Sequence, residues 1–257
     1  MKLFSQQYSE AGKPLLVLHG LFGSQSNWAW HCKQLAEQFA VYGVDLRNHG
    51  KSPHAAEMSY PLMAQDVEEL LDKLKLKQCS ILGHSMGGKV AMQLALSRPE
   101  RIERLIVVDI APTDYPAGNE AHIHIIDAME ALDLAKLQSR TEAEQLLEQD
   151  IPDPPTRKFI VTNLARDDAG EFRWRLNVAA IREAYDALRI KPGGGATFKQ
   201  PVLFVKGANS NYIRERNEAE IFALFPAAKI EAIPNAGHWV HADQPQALQQ
   251  VITEFLA

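Results

Sequence analysis

The chain has few of the residues and segments that define several common protein classes. Only two of its 257 residues are cysteines, too few for a disulfide framework or a cysteine-ligated zinc site. No apolar run approaches the roughly 18 residues that a membrane-spanning helix needs, and the first residues lack the apolar core of a signal peptide. We therefore expect a cytoplasmic protein without a membrane span.

An excess of basic residues is also absent. The 27 lysines and arginines are outnumbered by 32 aspartates and glutamates, for a net charge of −5, which argues against nonspecific nucleic-acid binding. His122 and His124 lie two residues apart on a predicted helix and so do not share a face, and we expect no metal site. The length and the 46% hydrophobic content suit one globular α/β domain with an insertion.

What the chain does contain is a Gly-His-Ser-Met-Gly stretch at residues 83–87. An apolar run from Cys79 to Leu82 precedes it, and helical periodicity follows it. G-x-S-x-G between a strand and a helix is a nucleophile elbow, which projects a serine hydroxyl above a sheet. The two glycines remove Cβ atoms that would clash in so tight a turn. Ser85 is therefore the candidate nucleophile.

Strand-like and helix-like segments alternate along residues 1–112 and again along residues 196–257. This alternation predicts an α/β fold with a mostly parallel central sheet flanked by helices. Residues 113–195 contain no convincing strand and are broken by prolines and glycines. We predict that they form a helical cap, inserted after the sixth strand and placed over the carboxyl ends of the strands, where such sheets bind ligands.

The order of these motifs resembles the α/β-hydrolase superfamily over nearly the whole chain, and within it the YbfF-type esterases. The latter resemblance rests on Asp45-Leu46-Arg47-Asn48-His49-Gly50-Lys51-Ser52, on the elbow, and on Val108-Asp109-Ile110-Ala111-Pro112. It implies a serine hydrolase that uses no cofactor and cleaves small-molecule carboxylic esters of short to medium acyl chains. Acyl-CoA thioesters are a further candidate class of substrate.

A serine hydroxyl needs a base within hydrogen-bond reach, and His238 is the candidate. It follows the last predicted strand, on a glycine-containing loop that can turn over the carboxyl edge of the sheet. His84 is next to the nucleophile but should point away from it, and His19 should hold the backbone of its own loop. The backbone N–H groups of Leu21 and Met86 are predicted to form the oxyanion hole.

The third member of a triad, the acid, is missing from its common place. Many α/β-hydrolases carry it three residues past a glycine, but here Gly207 is followed by Ala208-Asn209-Ser210. Either the acid is absent and catalysis is weak, or it has moved. Asp109 ends the strand expected beside the elbow strand, and the YbfF-type resemblance also places the acid there. Asp109 is therefore favoured, and Asp114 is the alternative.

Other candidates have simpler interpretations. Asp45 should tie down its own loop, and Asp243 should cap a helix. Phe22 and Trp239 are predicted to wall a substrate pocket, with ordinary core packing as the alternative interpretation. The same triad would also serve carbon–carbon bond hydrolysis or elimination, and a non-catalytic ligand-binding protein on this fold is a further alternative. The oligomeric state stays open.

Charge is unevenly distributed within the predicted cap. Residues 113–155 hold ten acids and two bases, whereas residues 156–199 hold nine bases and five acids. The basic half either receives an anionic group, such as the phosphates of coenzyme A, or forms a solvated face that pairs with the acidic half.

Overall fold

The computed structural model describes residues 1–116, 121–194 and 196–257. The strands in these ranges are β1 (Phe4–Gln7), β2 (Lys13–Leu18), β3 (Phe39–Asp45), β4 (Cys79–His84), β5 (Ile102–Val108), β6 (Leu164–Arg166), β7 (Phe172–Trp174), β8 (Val202–Gly207) and β9 (Ala228–Ile233). Seven of them form one sheet in the order β1-β3-β2-β4-β5-β8-β9. Only β1 runs antiparallel to its neighbour in this sheet, which confirms the predicted mostly parallel arrangement.

The α-helices in the same ranges are α1 (Ala29–Leu35), α2 (Tyr60–Lys73), α3 (Met86–Ser97), α4 (Ala121–Ala131), α5 (Arg140–Leu146), α6 (Pro154–Val161), α7 (Val178–Arg189), α8 (Glu218–Leu224), α9 (Val240–Asp243) and α10 (Pro245–Leu256). None of these helices is long and apolar enough to cross a membrane.

Successive residues of a strand point to opposite faces of the sheet, and β2 shows how this divides the core. Leu15 and Val17 pack with side chains of α1 and α10, whereas Leu16 and Leu18 pack with side chains of α2 and α3. The sheet is thus covered on both faces, as a parallel sheet requires. Because parallel strands end at the same edge, the residues that follow β2, β4, β5 and β9 meet there.

The inserted region differs from the prediction in two respects. It follows the fifth strand of the chain, not the sixth, because only five strands precede residue 113. It is not entirely helical, since β6 and β7 pair in an antiparallel hairpin. Strands of three residues are too short for alternation to reveal. The predicted end of the cap, Gly195, lies outside the described residues.

Lys89 of α3 joins the sheet core to both ends of the inserted region. Its ammonium group donates to the carbonyl oxygens of Thr113, Arg189 and Ile190 at 3.0, 3.0 and 2.7 Å. The side chain is buried, and burial lowers the pKa of Lys89 to about 7. Three carbonyl acceptors oppose that shift, because only the charged amine has three N–H donors. The helix that begins at the elbow therefore fixes where the inserted region sits.

Candidate active site

The elbow between β4 and α3 holds Ser85 in a strained conformation, with φ 50° and ψ −117°. Such a backbone costs about 1–3 kcal/mol for a residue other than glycine. A Cβ atom on Gly83 would lie 2.3 Å from the carbonyl oxygen of Gly87, and one on Gly87 would lie 2.5 Å from that of His19. The glycines of the motif are thus needed for close backbone packing, as predicted.

His238 bridges the serine and a carboxylate. Its Nε2 lies 3.0 Å from Ser85 Oγ, and its Nδ1 lies 2.7 Å from Asp109 Oδ2. A carboxylate only accepts hydrogen bonds, so Nδ1 carries the proton and Nε2 is free to receive one from the serine. The ring of Tyr212 stacks on the imidazole at a centroid distance of 3.9 Å, and His84 Nε2–H donates to the His238 carbonyl at 2.9 Å. His84 is therefore turned away from Ser85, as expected.

Three donors converge on the fully buried carboxylate of Asp109. Its Oδ1 accepts the backbone N–H of Gly207 at 3.0 Å, and its Oδ2 accepts both His238 Nδ1–H and the hydroxyl of Ser210. Ser210 stands three residues past Gly207, where many α/β-hydrolases carry the acid. The last residue of β8 and the loop after it therefore supply donors to a carboxylate that directly follows β5, the strand next to β8 in the sheet.

The other acidic candidates are engaged elsewhere. Asp114 is exposed and accepts the backbone N–H of Lys191 at 2.6 Å. Asp45 accepts two backbone N–H bonds, one of them from its own loop, as predicted. Asp243 does not cap the helix that follows it, contrary to the prediction. It instead accepts the backbone N–H of Gly237, and so steadies the loop that carries the histidine.

The N–H groups of Leu21 and Met86 flank the serine, one on the loop after β2 and the other at the first residue of α3. Neither N–H has a hydrogen-bond partner within residues 1–116, 121–194 and 196–257. Both residues line cavities that also contain Ser85. Two unused donors beside a nucleophile are available to an oxygen that gains negative charge.

Two buried neutral histidines hold the loop that carries Leu21. His19 Nδ1–H donates to the carbonyl of Gly20 at 2.8 Å, while its Nε2 accepts the N–H of Leu46 at 3.0 Å. His49 Nε2 accepts the N–H of Phe22 at 3.3 Å. Burial lowers the pKa of His19 to about 4 and that of His49 to about 3, so each ring can donate through one nitrogen and accept through the other. His19 thus holds loop backbone, as predicted.

Ser85 lies where two chambers meet. The larger has a volume of about 650 Å³ and a mainly apolar wall that includes Phe22, Phe159 and Trp239. The smaller has a volume of about 360 Å³. Its lining includes lysine and arginine side chains, among them Arg214 and Arg216, whereas the residues described around the larger chamber include neither type. The structure thus places the predicted pocket residues Phe22 and Trp239 on the larger chamber, and a substrate could extend on both sides of the serine.

Three residues near the serine were not recognised from the sequence as parts of the site. Ser210 could have been found, because it replaces a carboxylate at a fixed distance from Gly207. Tyr212 gave no signal, and His122 was considered only as a possible metal ligand, although both line the two chambers. Burial lowers the pKa of His122 to about 4, which leaves the ring neutral. In the described ranges no group of three or more histidine, cysteine or acidic side chains is placed to hold a metal ion.

Comparison with known proteins agrees with the family resemblance drawn from the sequence motifs. The model of the alpha/beta hydrolase family matches residues 15–251. The chain is 42% identical to the sn-1-specific diacylglycerol lipase ABHD11 of Mus musculus, covering 96% of this chain and 82% of the relative. It is 33% identical to Esterase YbfF of Escherichia coli, covering 97% and 95%. A structure titled marine microorganism esterase superimposes with a TM-score of 0.97 at 39% identity, over 99% of each chain. The chain therefore belongs to the α/β-hydrolase family and is an ester hydrolase.

Proposed function

We propose that the protein hydrolyses carboxylic esters of short to medium acyl chains through a Ser85–His238–Asp109 triad and an acyl-enzyme. The observation that carries the proposal is the continuous hydrogen-bonded series from Ser85 Oγ through the imidazole to the buried carboxylate, at 3.0 and 2.7 Å. This series opens on a mainly apolar chamber that can hold an acyl chain. No cofactor is needed for such chemistry.

In the acylation step Ser85 Oγ attacks the ester carbonyl while His238 Nε2 takes the hydroxyl proton. The developing oxyanion is stabilised by the N–H groups of Leu21 and Met86. The carbonyl re-forms, the bond to the alcohol oxygen breaks, and His238 returns the proton to the departing alcohol. Asp109 holds the imidazole tautomer and stabilises its charged form.

Deacylation repeats these steps with water as the nucleophile. His238 Nε2 takes a proton from the water as its oxygen attacks the acyl carbonyl. Collapse of the second tetrahedral intermediate releases the carboxylic acid and returns the proton to Ser85 Oγ. Throughout both steps, the three donors to the buried carboxylate of Asp109 take the place of water around it.

The two chambers suggest which part of the ester goes where. The larger, apolar chamber suits the acyl chain, with Phe22 and Trp239 as its walls. The smaller chamber suits the alcohol, and there Arg214 and Arg216 favour a leaving group that is polar or anionic. The named activity of the mouse relative, a diacylglycerol lipase, makes partial glycerides a natural substrate class to test. Acyl-CoA thioesters are a second class, because the arginines offer a place for phosphate.

The test is hydrolysis of p-nitrophenyl esters from acetate to palmitate by the wild-type protein, by Ser85→Ala and by the control Ser26→Ala. Ser26 is exposed on the short 3₁₀ helix Gln25–Trp28 that precedes α1. We expect turnover in the wild type and the control, none above background in Ser85→Ala, and an optimum at short to medium chains. Turnover that persists in Ser85→Ala, or no turnover by folded wild-type protein, would contradict the proposal.

A further inference from the structure

A cleft of about 480 Å³ lies between the loop after β3 and the β6–β7 hairpin. Its wall carries five basic side chains and no carboxylate: Lys51, His54, Arg166, Arg173 and Arg175. None of the residues that line it also lines either chamber at Ser85. In a chain with a net charge of −5, such a concentration of positive charge is a separate feature that ester hydrolysis does not use.

The hairpin explains how two of these arginines come to share the cleft. Arg173 lies in β7 and Arg175 is the first residue after the strand ends, and both side chains line the cleft on one side of the hairpin. Trp174, between them, points to the other face, where its Nε1–H donates to the carbonyl of Met129 at 3.1 Å. The residue paired with Arg173 is Ala165, whose small side chain leaves the guanidinium room.

Pairing with acids accounts for Arg157, Arg182 and Arg189 of the basic half of the inserted region, but not for Arg173 and Arg175. Arg166 donates instead to the backbone carbonyls of Gly170 and Gln138. Arg182 bonds to Asp127 and Glu130, and Arg157 lies 3.2 Å from Glu148. These pairs confirm, for that part, the predicted interaction with the acidic half.

No carboxylate of the described residues lies within 4.0 Å of the charged groups of Lys51, Arg173 or Arg175. The nearby acid of the hairpin turn, Asp167, accepts the backbone N–H groups of Ala169 and Glu171. The cleft therefore has cations without an internal counter-ion, an arrangement that an external anion would stabilise.

We propose that this cleft binds a small molecule that carries a diphosphate group. The planar forks of Arg173 and Arg175 match phosphate oxygens in a bidentate manner, one for each phosphoryl group. Lys51 supplies charge and N–H donors from the opposite wall, and the volume suits a ligand between inorganic diphosphate and a nucleoside diphosphate in size.

Such a ligand would join the sheet core to the inserted region. Lys51 and His54 belong to the core, whereas the arginines belong to the hairpin. His54 Nε2–H already donates to the carbonyl of Arg175 across this junction, at 3.3 Å. Binding should therefore raise the melting temperature as well as give a measurable Kd, since a ligand that binds only the folded state stabilises it.

The test is calorimetric titration of the full chain at low salt with inorganic pyrophosphate, with ADP and with inorganic phosphate. We expect pyrophosphate and ADP to bind the wild type with similar affinity and phosphate to bind more weakly. The variant Arg173→Gln with Arg175→Gln should weaken pyrophosphate binding at least about tenfold, because two charge-assisted contacts are lost. Lys51→Gln, from the other wall, should weaken it to a smaller extent.

The matched control is Lys73→Gln with Lys75→Gln, which also removes two positive charges two residues apart, but at exposed positions that line neither the cleft nor the chambers at Ser85. This variant should bind pyrophosphate as the wild type does. Equal affinity in the wild type and the Arg173/Arg175 variant, or an equal loss of binding in the Lys73/Lys75 variant, would overturn the proposal. Absence of any binding by the wild type would do the same.

Discussion

Replacing Asp109 by asparagine removes one charge from the site while keeping the size of the side chain. The carboxylate it replaces accepts Gly207 N–H on one oxygen and His238 Nδ1–H and the Ser210 hydroxyl on the other. An asparagine has a single acceptor oxygen, so it cannot serve both positions. If its oxygen faces the histidine, its NH₂ group faces the N–H of Gly207, and two donors oppose each other in a fully buried place.

If the NH₂ group instead faces the histidine, Nδ1 must become an acceptor and the proton moves to Nε2. That nitrogen lies 3.0 Å from Ser85 Oγ and can then no longer take its proton. Both orientations therefore damage the site. The corresponding change in a well-studied serine protease lowers kcat by about 10⁴, or roughly 5 kcal/mol of transition-state stabilisation. We expect a loss of the same order here.

The assay is kcat for p-nitrophenyl butyrate, with thermal melting as a check that the variants are folded. The matched control is Asp114→Asn, because Asp114 is the alternative acid from the sequence and its carboxylate is exposed. This control should keep the wild-type kcat. A loss below about tenfold in Asp109→Asn would refute the assignment. The carboxylate would then contribute less than about 1.4 kcal/mol of transition-state stabilisation. A large loss in Asp114→Asn would point to the alternative acid.

Three further predictions follow from the same structure. Ser210→Ala removes the hydroxyl that donates to Asp109 and should lower kcat roughly tenfold without raising KM, since a hydrogen bond to a charged group contributes about 1.5–3 kcal/mol; an unchanged kcat would contradict this. Gly83→Ala should lower the melting temperature sharply or prevent folding, because its Cβ would lie 2.3 Å from a backbone oxygen, whereas the control Gly193→Ala has open space and should melt as the wild type does. Burial holds six histidines below their usual pKa: His19, His31, His49, His84, His122 and His241. Between about pH 6.5 and pH 5 the unfolded chain binds protons that the folded chain does not, so stability should fall on acidification by up to about 1.4 kcal/mol per pH unit for each histidine. Urea midpoints at pH 7 and pH 5 measure this, and equal midpoints would show that these rings are charged in the folded protein.

The nucleophile elbow could be predicted because its signals are local. A buried strand, a fixed motif and a helix follow one another within residues 79–97. The clash that explains Gly83 also arises within the elbow, whereas the one at Gly87 involves the distant His19. His238 was recognisable from its place after the last strand of the sheet. Its contact with Ser85 joins residues 153 positions apart, so that distance could only come from the structure.

The identity of the acid could not be decided from the sequence alone, because it depends on which strands are neighbours. Strands β5 and β8 are adjacent in the sheet although the inserted region separates them in the chain. This adjacency puts Asp109 beside the loop that holds Ser210. A serine after β8 looks like the loss of a group when the loop is considered by itself. In the structure its hydroxyl supports the carboxylate of the neighbouring strand.

The inserted region was predicted least well. The β6–β7 hairpin has strands of three residues each, below the length at which alternation is visible. The basic half of the region was correctly noticed as unusual, but composition could not separate Arg182, which is paired with acids, from Arg173, which is not. Only the fold determines which charges meet.

The most direct test of the central proposal is labelling with a fluorophosphonate, followed by mass spectrometry to locate the adduct. The reagent traps a serine that is activated by a base, so the proposal predicts one adduct, on Ser85, in the wild type. Labelling should be lost in Ser85→Ala and should be much slower in His238→Ala, which removes the base 3.0 Å from the hydroxyl. An adduct on another residue, or equal labelling rates in wild type and His238→Ala, would contradict the proposed mechanism.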